Sequence, residues 1–494
     1  MARVDPAVRM LAAAAALTVL AGCSFAPPLK VPDAPVVQSY KEEAPWMPAQ
    51  PSDRIRRDGW WTLYGDAELD ELEKKLIANS PDLAAAFARY RQTQAVRDQL
   101  RSGLFPTLAG VAGAERDRQS ELKPLRVLGP NSPDIYDTYT VGVELDYELD
   151  LWGRVRNQVA SGEASARAAA ADLESARLSL EAQLADDYIV LRGLDREIAL
   201  LNDTVAAYQR ALDLTEQRHA GGIASGLDVA RAQTQIDSAR SQLAQTRAQR
   251  ALAEHAIATL VGEPASTFSL AARTEPLELV PVPPGVPSTL VQRRPDIAAA
   301  QRHIEAANAN IGVARAAFFP AVTLSATAGY QSSRGGDWLK APNRYWSIGP
   351  SLFLTLFDAG RRKAEVAQAQ AELDEQGANY RGVVLGAFQQ VEDNLALLHH
   401  YHDAAEADRS AVAAAHQALD LSTGRYRQGA VSYLDVVTAQ TTALQIESEA
   451  LDLDTRQLRA SVQLIRALGG GWTQDLADAQ PAPTAPGAAA PTSP

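Results

Sequence analysis

Between Arg154 and Val261, apolar residues return at every seventh position: Leu184, Leu191, Ile198, Val205 and Leu212. A second row, Leu194, Leu201 and Tyr208, follows members of the first by three. This a/d spacing predicts long helices packed side by side, knobs into holes. The stretch has no proline and one break, Ala220-Gly221-Gly222-Ile223-Ala224-Ser225-Gly226. It therefore predicts a helix from Arg154 to about His219, a chain reversal, and a return helix from Leu227 to Val261. At about 1.5 Å rise per residue the first helix would span roughly 100 Å. The residues before it follow a different period. Tyr139, Val141, Val143, Leu145, Tyr147 and Leu149 alternate with Thr140, Gly142, Glu144, Asp146, Glu148 and Asp150. Period two predicts a strand with one apolar and one polar face, and Phe105 to Ala114 reads as its partner. Asp66 to Arg101 is helical in pattern, with a break at Pro81.

The whole plan then recurs. Pro81-Asp82-Leu83 returns as Pro295-Asp296-Ile297, and Phe105-Pro106 as Phe319-Pro320. Val141-Gly142 matches Ile348-Gly349, Gly153-Arg154 matches Gly360-Arg361, and Leu227-Asp228-Val229 matches Leu434-Asp435-Val436. The heptad row reappears as Val391, Leu398, Ala405, Val412 and Leu419. We therefore divide the chain into a first repeat (59–262) and a second (289–469), each a helix, two strands, a long helix and a return helix. A proline-rich linker (263–288) joins them, and a Pro/Ala-rich tail (470–494) is expected to lack structure.

The N-terminus adds a location. Arg3 and Arg9 precede an apolar run, Met10 to Leu20, too short to span a membrane and built as a secretory signal peptide (1–22). It ends Leu20-Ala21-Gly22-Cys23, a bacterial lipoprotein cleavage site holding the single cysteine of the chain. Cys23 is thus the candidate lipidation site, Ser24 after it favours the outer membrane, and residues 23–58, rich in proline, read as an extended tether. A net charge of −13 argues against nucleic acid, and one cysteine excludes an internal disulfide.

Four strands per chain cannot close on themselves, yet strands in lipid must pair every backbone group. Single-chain barrels begin at about eight strands. Several copies must then share one barrel, and three would supply twelve strands, with the helices continuing as a hollow tube. The fold class expected is mainly α with a transmembrane β-barrel: long coiled-coil helices in a periplasmic α-barrel, plus four strands per chain in a barrel shared by a homotrimer.

Several motifs carry a family resemblance: the lipoprotein site, Trp61-Thr62-Leu63-Tyr64-Gly65-Asp66, Val291-Gln292-Arg293-Arg294-Pro295-Asp296-Ile297, Ala307-Asn308-Ala309-Asn310-Ile311-Gly312-Val313-Ala314 and Phe318-Phe319-Pro320. They resemble the outer membrane factor (TolC-type) family, in its lipoprotein branch serving resistance-nodulation-division efflux systems. The resemblance implies a passive homotrimeric duct exporting small molecules, docked to a periplasmic adaptor protein and an inner-membrane pump, with no catalytic residue and no cofactor. A duct for protein secretion, and a lipid-anchored periplasmic coiled-coil scaffold, are the alternatives.

Candidate sites follow. Gly222 and Gly429 allow the chain to reverse, and Ser225 and Ser432 are placed to cap the next helix with Asp228 and Asp435 at its third position. The resemblance further implies that these turns form the periplasmic aperture and docking tip, with Tyr426 and Asp435 in the gate network and Asp228 in the neighbouring turn. Where relatives often carry an acid and a base after this aspartate, this chain has Thr438 and Thr441. Glu144, Asp146 and Glu148 either line a lumen or are solvated at the barrel rim; the continuous apolar row opposite favours the lumen. Tyr136, Tyr139, Tyr330, Tyr345 and Trp346 suit interfacial aromatic belts or scattered core positions. His399 and His402 share a helix face but lack further ligands nearby, so no metal site is assigned.

Overall fold

The computed structural model describes residues 24–32, 40–42, 59–118, 120, 134–279, 294–336 and 338–470. The signal peptide, Cys23, the Val291–Arg293 part of the linker motif and the tail beyond Gly470 lie outside the described residues. A short 3-10 turn, Trp60–Tyr64, precedes α1 (Ala67–Asn79) and α2 (Pro81–Ser102). Strands β1 (Thr107–Arg118) and β2 (Ile135–Glu148) follow, then α3 (Arg154–Ala220) and α4 (Gly226–Leu260). The order then recurs: α5 (Pro295–Ala316), β3 (Ala321–Ser332), β4 (Arg344–Phe353), α6 (Arg361–Arg427) and α7 (Tyr433–Ala467). Helices α3 and α6 each have 67 residues, α4 and α7 each 35, and α2 and α5 each 22. No described helix is long and apolar enough to cross a membrane.

The chain clusters into two compact units: 1–32, 91–168 and 300–379 in the first, 33–90, 169–299 and 380–494 in the second. The first holds one antiparallel sheet in the order β1-β2-β3-β4. Its register carries the period-two pattern of β2 onto β3 and β4, since directly paired residues share a face. Glu144 pairs with Ala109 and Thr327, Asp146 with Thr107 and Ser325, and Glu148 with Thr323. Thr327, Ser325 and Thr323 in turn pair with Ser347, Gly349 and Ser351. The other face is apolar: Leu145 pairs with Leu108 and Ala326, Ala326 with Ile348, and Val322 with Leu352.

Two strand limits differ from the sequence pattern. β1 begins at Thr107, because Phe105 closes a turn on Ser102 (N–H to O, 3.0 Å) before Pro106. β2 ends at Glu148, because Asp150 leaves the alternation to cap α3, accepting the backbone N–H of Val155 (3.1 Å) and Arg156 (2.8 Å). The intervening reversal needs Gly153 at φ +73°. Residues 24–32, expected within a free tether, instead lie bonded to the first unit: Asn308 Nδ2 donates to Pro27 O (2.9 Å) and Arg315 Nη1 to Phe25 O (3.2 Å).

The second unit is organised on the α3 heptad. Leu184, Leu191, Tyr188 and Ile189 pack with Trp60, Trp61, Leu69, Leu72, Leu76, Ile257, Leu458 and Val462 in one buried cluster. Each such aliphatic side chain removed from water contributes about 1.5–3 kcal/mol. Charges enter this core only in networks. Asp195, its side chain fully buried, accepts from Arg192 and Arg250 (both 2.7 Å) and from the N–H of Arg273 (3.1 Å). Arg192 also pairs with Glu68. Arg294 explains the Arg-Pro-Asp motif: it forks onto Asp296 and donates to Gln390 Oε1 (2.9 Å) and Ala467 O (3.0 Å), so the linker's end is tied to α6 and the end of α7.

Candidate functional site: the helical turns and the polar sheet face

Each turn is built locally. After α3, Gly222 takes φ +73°, and Ser225 opens α4 with a capping box: Asp228 accepts Ser225 N–H (3.1 Å) and Oγ–H (2.8 Å), while Asp228 N–H donates to Ser225 Oγ (3.2 Å). After α6, Gly429 takes φ +75° and Asp435 accepts Ser432 N–H (3.0 Å) and Oγ–H (2.7 Å) in a second box. A carboxylate here satisfies donors left free at a helix start and faces the positive end of the helix dipole. Asp435 is exposed and Asp228 half-buried.

Tyr426 belongs to a buried apolar cluster. It is buried against Tyr433, with ring centroids 5.3 Å apart, and its hydroxyl lies 3.5 Å from Thr215 Oγ1. Arg218, in the last turn of α3, donates to Tyr426 O (2.7 Å) and sets its guanidinium over the Tyr426 ring at 4.5 Å. Tyr208, Leu212, Ile236 and Val436 complete the cluster, which joins the ends of four helices. Burial pushes the Tyr433 hydroxyl up to about 12, so it stays neutral. Sequence reasoning found the turns and their caps but missed Arg218, Thr215 and Tyr433. Arg218 and Tyr426 are far apart in the chain, and only Arg218's place in the turn preceding Gly222 hinted at a role.

The threonines at the unusual positions are bonded. Thr438 donates to Leu434 O (2.9 Å), and Thr441 accepts from Gln235 Nε2 (2.5 Å), a neutral bridge from α4 to α7.

In the first unit, Glu144, Asp146 and Glu148 share the polar face. Ser325 Oγ donates to Asp146 (2.7 Å), and Arg154 pairs with Glu148. Glu148 is thus paired with Arg154 where the strand meets α3, and by register Glu115 and Asp117 of β1 share the face with Glu144 and Asp146. Tyr330 lies in the hairpin end of the sheet with Tyr139, Tyr345 and Trp346, the last largely exposed. On α6, His399 gathers with His400 and Asp403, not with His402, and the three offer ligand atoms within 4.8 Å of one another.

A model described as outer membrane efflux protein matches residues 72–263 and 286–470. The chain belongs to the outer membrane efflux protein family. It is 33% identical over 479 residues to outer membrane protein OprJ of Pseudomonas aeruginosa, covering 95% of this chain and 97% of OprJ. It is 31% identical to the probable efflux pump outer membrane protein TtgC of Pseudomonas putida, covering 95% and 97%. Among solved structures, the open state of the Neisseria gonorrhoeae MtrE outer membrane channel superposes with a TM-score of 0.79 at 27% identity, covering 92% of this chain and 99% of MtrE. Membership makes this an outer-membrane efflux channel protein, mainly helical with a strand-built portion, from a family of channels rather than enzymes.

Proposed function

We propose that the protein is the outer-membrane duct of a tripartite efflux system, a passive homotrimer exporting small molecules from the periplasm to the exterior. The observation that carries this reading is the four-stranded sheet, with an apolar and a polar face running through β2, β3 and β4, open at β1 and β4. A sheet in lipid cannot keep open edges. Three copies close it with twelve strands, apolar outside and polar inside. Energy comes from an inner-membrane resistance-nodulation-division pump, reached through a periplasmic adaptor. OprJ and TtgC are relatives of like length, and the latter's name assigns it to an efflux pump. Cys23 carries the lipid that holds the chain to the outer membrane.

Within this reading Glu144 and Asp146, with Glu148 at their base, line the lumen. The turns at Gly222 and Gly429 form the periplasmic aperture, with Ser225, Asp228, Ser432 and Asp435 fixing their shape and Tyr426 holding them together. Three copies of Asp435 around one axis would attract cations. Thr441 locks α4 to α7 without charge, so the closed state rests on packing around Tyr426 more than on ion pairs.

The test is accumulation of a fluorescent amphiphile in cells that carry the matching pump and adaptor. Deleting this chain should raise accumulation several-fold, and restoring it should reverse the rise. Unchanged accumulation of that probe and of a panel of small toxic compounds would defeat the efflux reading.

A further inference from the structure

Near the middle of α6 stands a cluster that neither the helical turns nor the sheet employs. A helix advances about 100° per residue. With the buried Leu398 at zero, His399 stands at about 100°, Asp403 at about 140° and His400 at about 200°. The three share an arc turned away from the buried spine of Val391, Leu395, Leu398 and Ala405. Asp403 sits between the two imidazoles, one turn further along. Ala396 and Ala407 fill the same arc a turn before and a turn after, and their methyl groups leave it uncrowded. His402 stands at about 40°, outside the arc. The i, i+4 partner of His399 is Asp403, at a spacing where helical side chains meet. The ligand missing from the pairing of His399 with His402 is therefore supplied by the acid next in the chain.

His399 Nε2 lies 4.0 Å from Asp403 Oδ2, and the His399 and His400 rings have centroids 5.1 Å apart and planes at 61°. One ligand atom from each residue comes within 4.8 Å of the others. Around a tetrahedral zinc with ligands at about 2.0–2.1 Å, neighbouring ligand atoms lie about 3.3 Å apart. The widest pair must therefore close by roughly 1.5 Å. Rotation about the last side-chain torsion supplies this at small cost, because that torsion is broad for histidine and aspartate. His400 and Asp403 are exposed, the latter over 66% of its side chain, so both are free to rotate. Two imidazoles and one carboxylate are donors for Cu2+, Ni2+ and Zn2+, whereas Mg2+ and Ca2+ favour sets of oxygens.

We propose that His399, His400 and Asp403 form a divalent transition-metal site on α6, binding one Cu2+, Ni2+ or Zn2+ per chain with water completing the coordination. Three protein ligands and an open position leave the ion exchangeable with the surrounding solution. Copper binds most tightly, following the general order of divalent affinities. The ion bridges the i and i+4 positions, so it staples one turn of α6 and turns the negative charge of Asp403 into a net positive one. Every ligand comes from α6, so the site does not depend on how many copies assemble.

The experiment uses the full-length protein, free of any polyhistidine tag, solubilised in detergent and stripped with a chelator. Titration calorimetry with Cu2+ and with Zn2+ should give one ion per chain in the wild type, undiminished by excess Mg2+. His399→Ala, His400→Ala and Asp403→Ala should each weaken binding at least about tenfold, since losing even a group that merely orients a ligand costs about 10–100-fold. Asp403→His, which restores a donor at i+4, should recover it. His402→Ala and His416→Ala remove histidines of α6 outside the site and should bind as the wild type does. The positions changed are exposed or half-buried, so the circular dichroism of each variant should match the wild type. Electron paramagnetic resonance of the copper form should show two nitrogen ligands, falling to one in His399→Ala. Absence of stoichiometric binding, or undiminished binding in Asp403→Ala, would overturn the site. Equal weakening by His402→Ala would overturn it too, by assigning the ion to the run of histidines rather than to this arc.

Discussion

Glu73 stands on α1 with its side chain wholly buried and neither carboxylate oxygen hydrogen-bonded. It faces Glu181 of α3, which accepts from Arg177 Nε (2.8 Å) and Trp60 Nε1 (3.3 Å), and Arg177 and Asp70 are the other charges acting on it. Burial first, then the charge of Glu181, drives the Glu73 carboxyl well above the usual carboxylate range. Burial pushes Glu181 up to about 7 against the pull of Arg177. Both groups bind protons more tightly folded than unfolded, where a glutamate titrates near 4.3. Their folded pKa values are raised, so stability is greatest below the unfolded value and is lost as pH climbs through about 7. The apparent Tm of the detergent-solubilised protein should therefore fall between pH 5 and pH 8, and Glu73→Gln should raise the Tm at pH 8 and flatten the slope. An equal slope in wild type and variant would exclude the pair as its cause. Glu73 was visible in outline: Leu69, Leu72 and Leu76 set an apolar stripe that also runs through position 73. Its lack of a partner was not, because a missing hydrogen bond depends on residues brought up by the fold. Caps such as Ser225–Asp228 were legible for the opposite reason, since both members lie within one turn.

Elements were legible where one period ran long. The heptad rows gave α3 and α6, and their predicted positions are buried at Leu184, Leu191, Leu201, Val391 and Leu398. Strand ends were less so, because they are decided by a competing local bond: Asp150 belongs to the alternation by type but spends its carboxylate on α3. The polar face consequently ends in the pair of Glu148 and Arg154, and Glu144 and Asp146 are the acids of β2 next to that end. A planar bilayer measurement reads both ends of the proposed duct. The double variant Glu144→Gln, Asp146→Asn should move the reversal potential under a salt gradient towards zero, with single-channel conductance otherwise preserved. Asp435→Ala, which strips one turn of its capping carboxylate, should raise leak through the resting pore. Anion preference in the wild type would remove these residues from the lumen, and unaltered resting conductance in Asp435→Ala would confine that aspartate to capping.

For the whole molecule, the decisive feature is what one chain leaves unfinished. β1 and β4 are edges, and the apolar side chains along them are open: Leu108 at 68% exposure, Leu352 at 67% and Phe353 at 73%, with Leu356 and Phe357 beyond the strand at 88% and 86%. Exposed edges with apolar side chains recruit further strands, and in a bilayer they have no alternative. The recurrence of the plan made this countable from sequence, since each copy brings one hairpin; no repeat tells how many chains assemble, and that number comes from barrel size. Two chains would give eight strands, a wall whose interior its own side chains fill, whereas three give twelve and leave a lumen. A duct therefore needs at least three copies, and three is the number proposed. Native mass spectrometry of the detergent-solubilised, acylated protein should give three times the polypeptide mass, stable until the detergent is exchanged for a denaturing one. Monomer or dimer as the main species under the mildest conditions would leave the edges uncovered or the bore closed, and the transport reading would fall with the count.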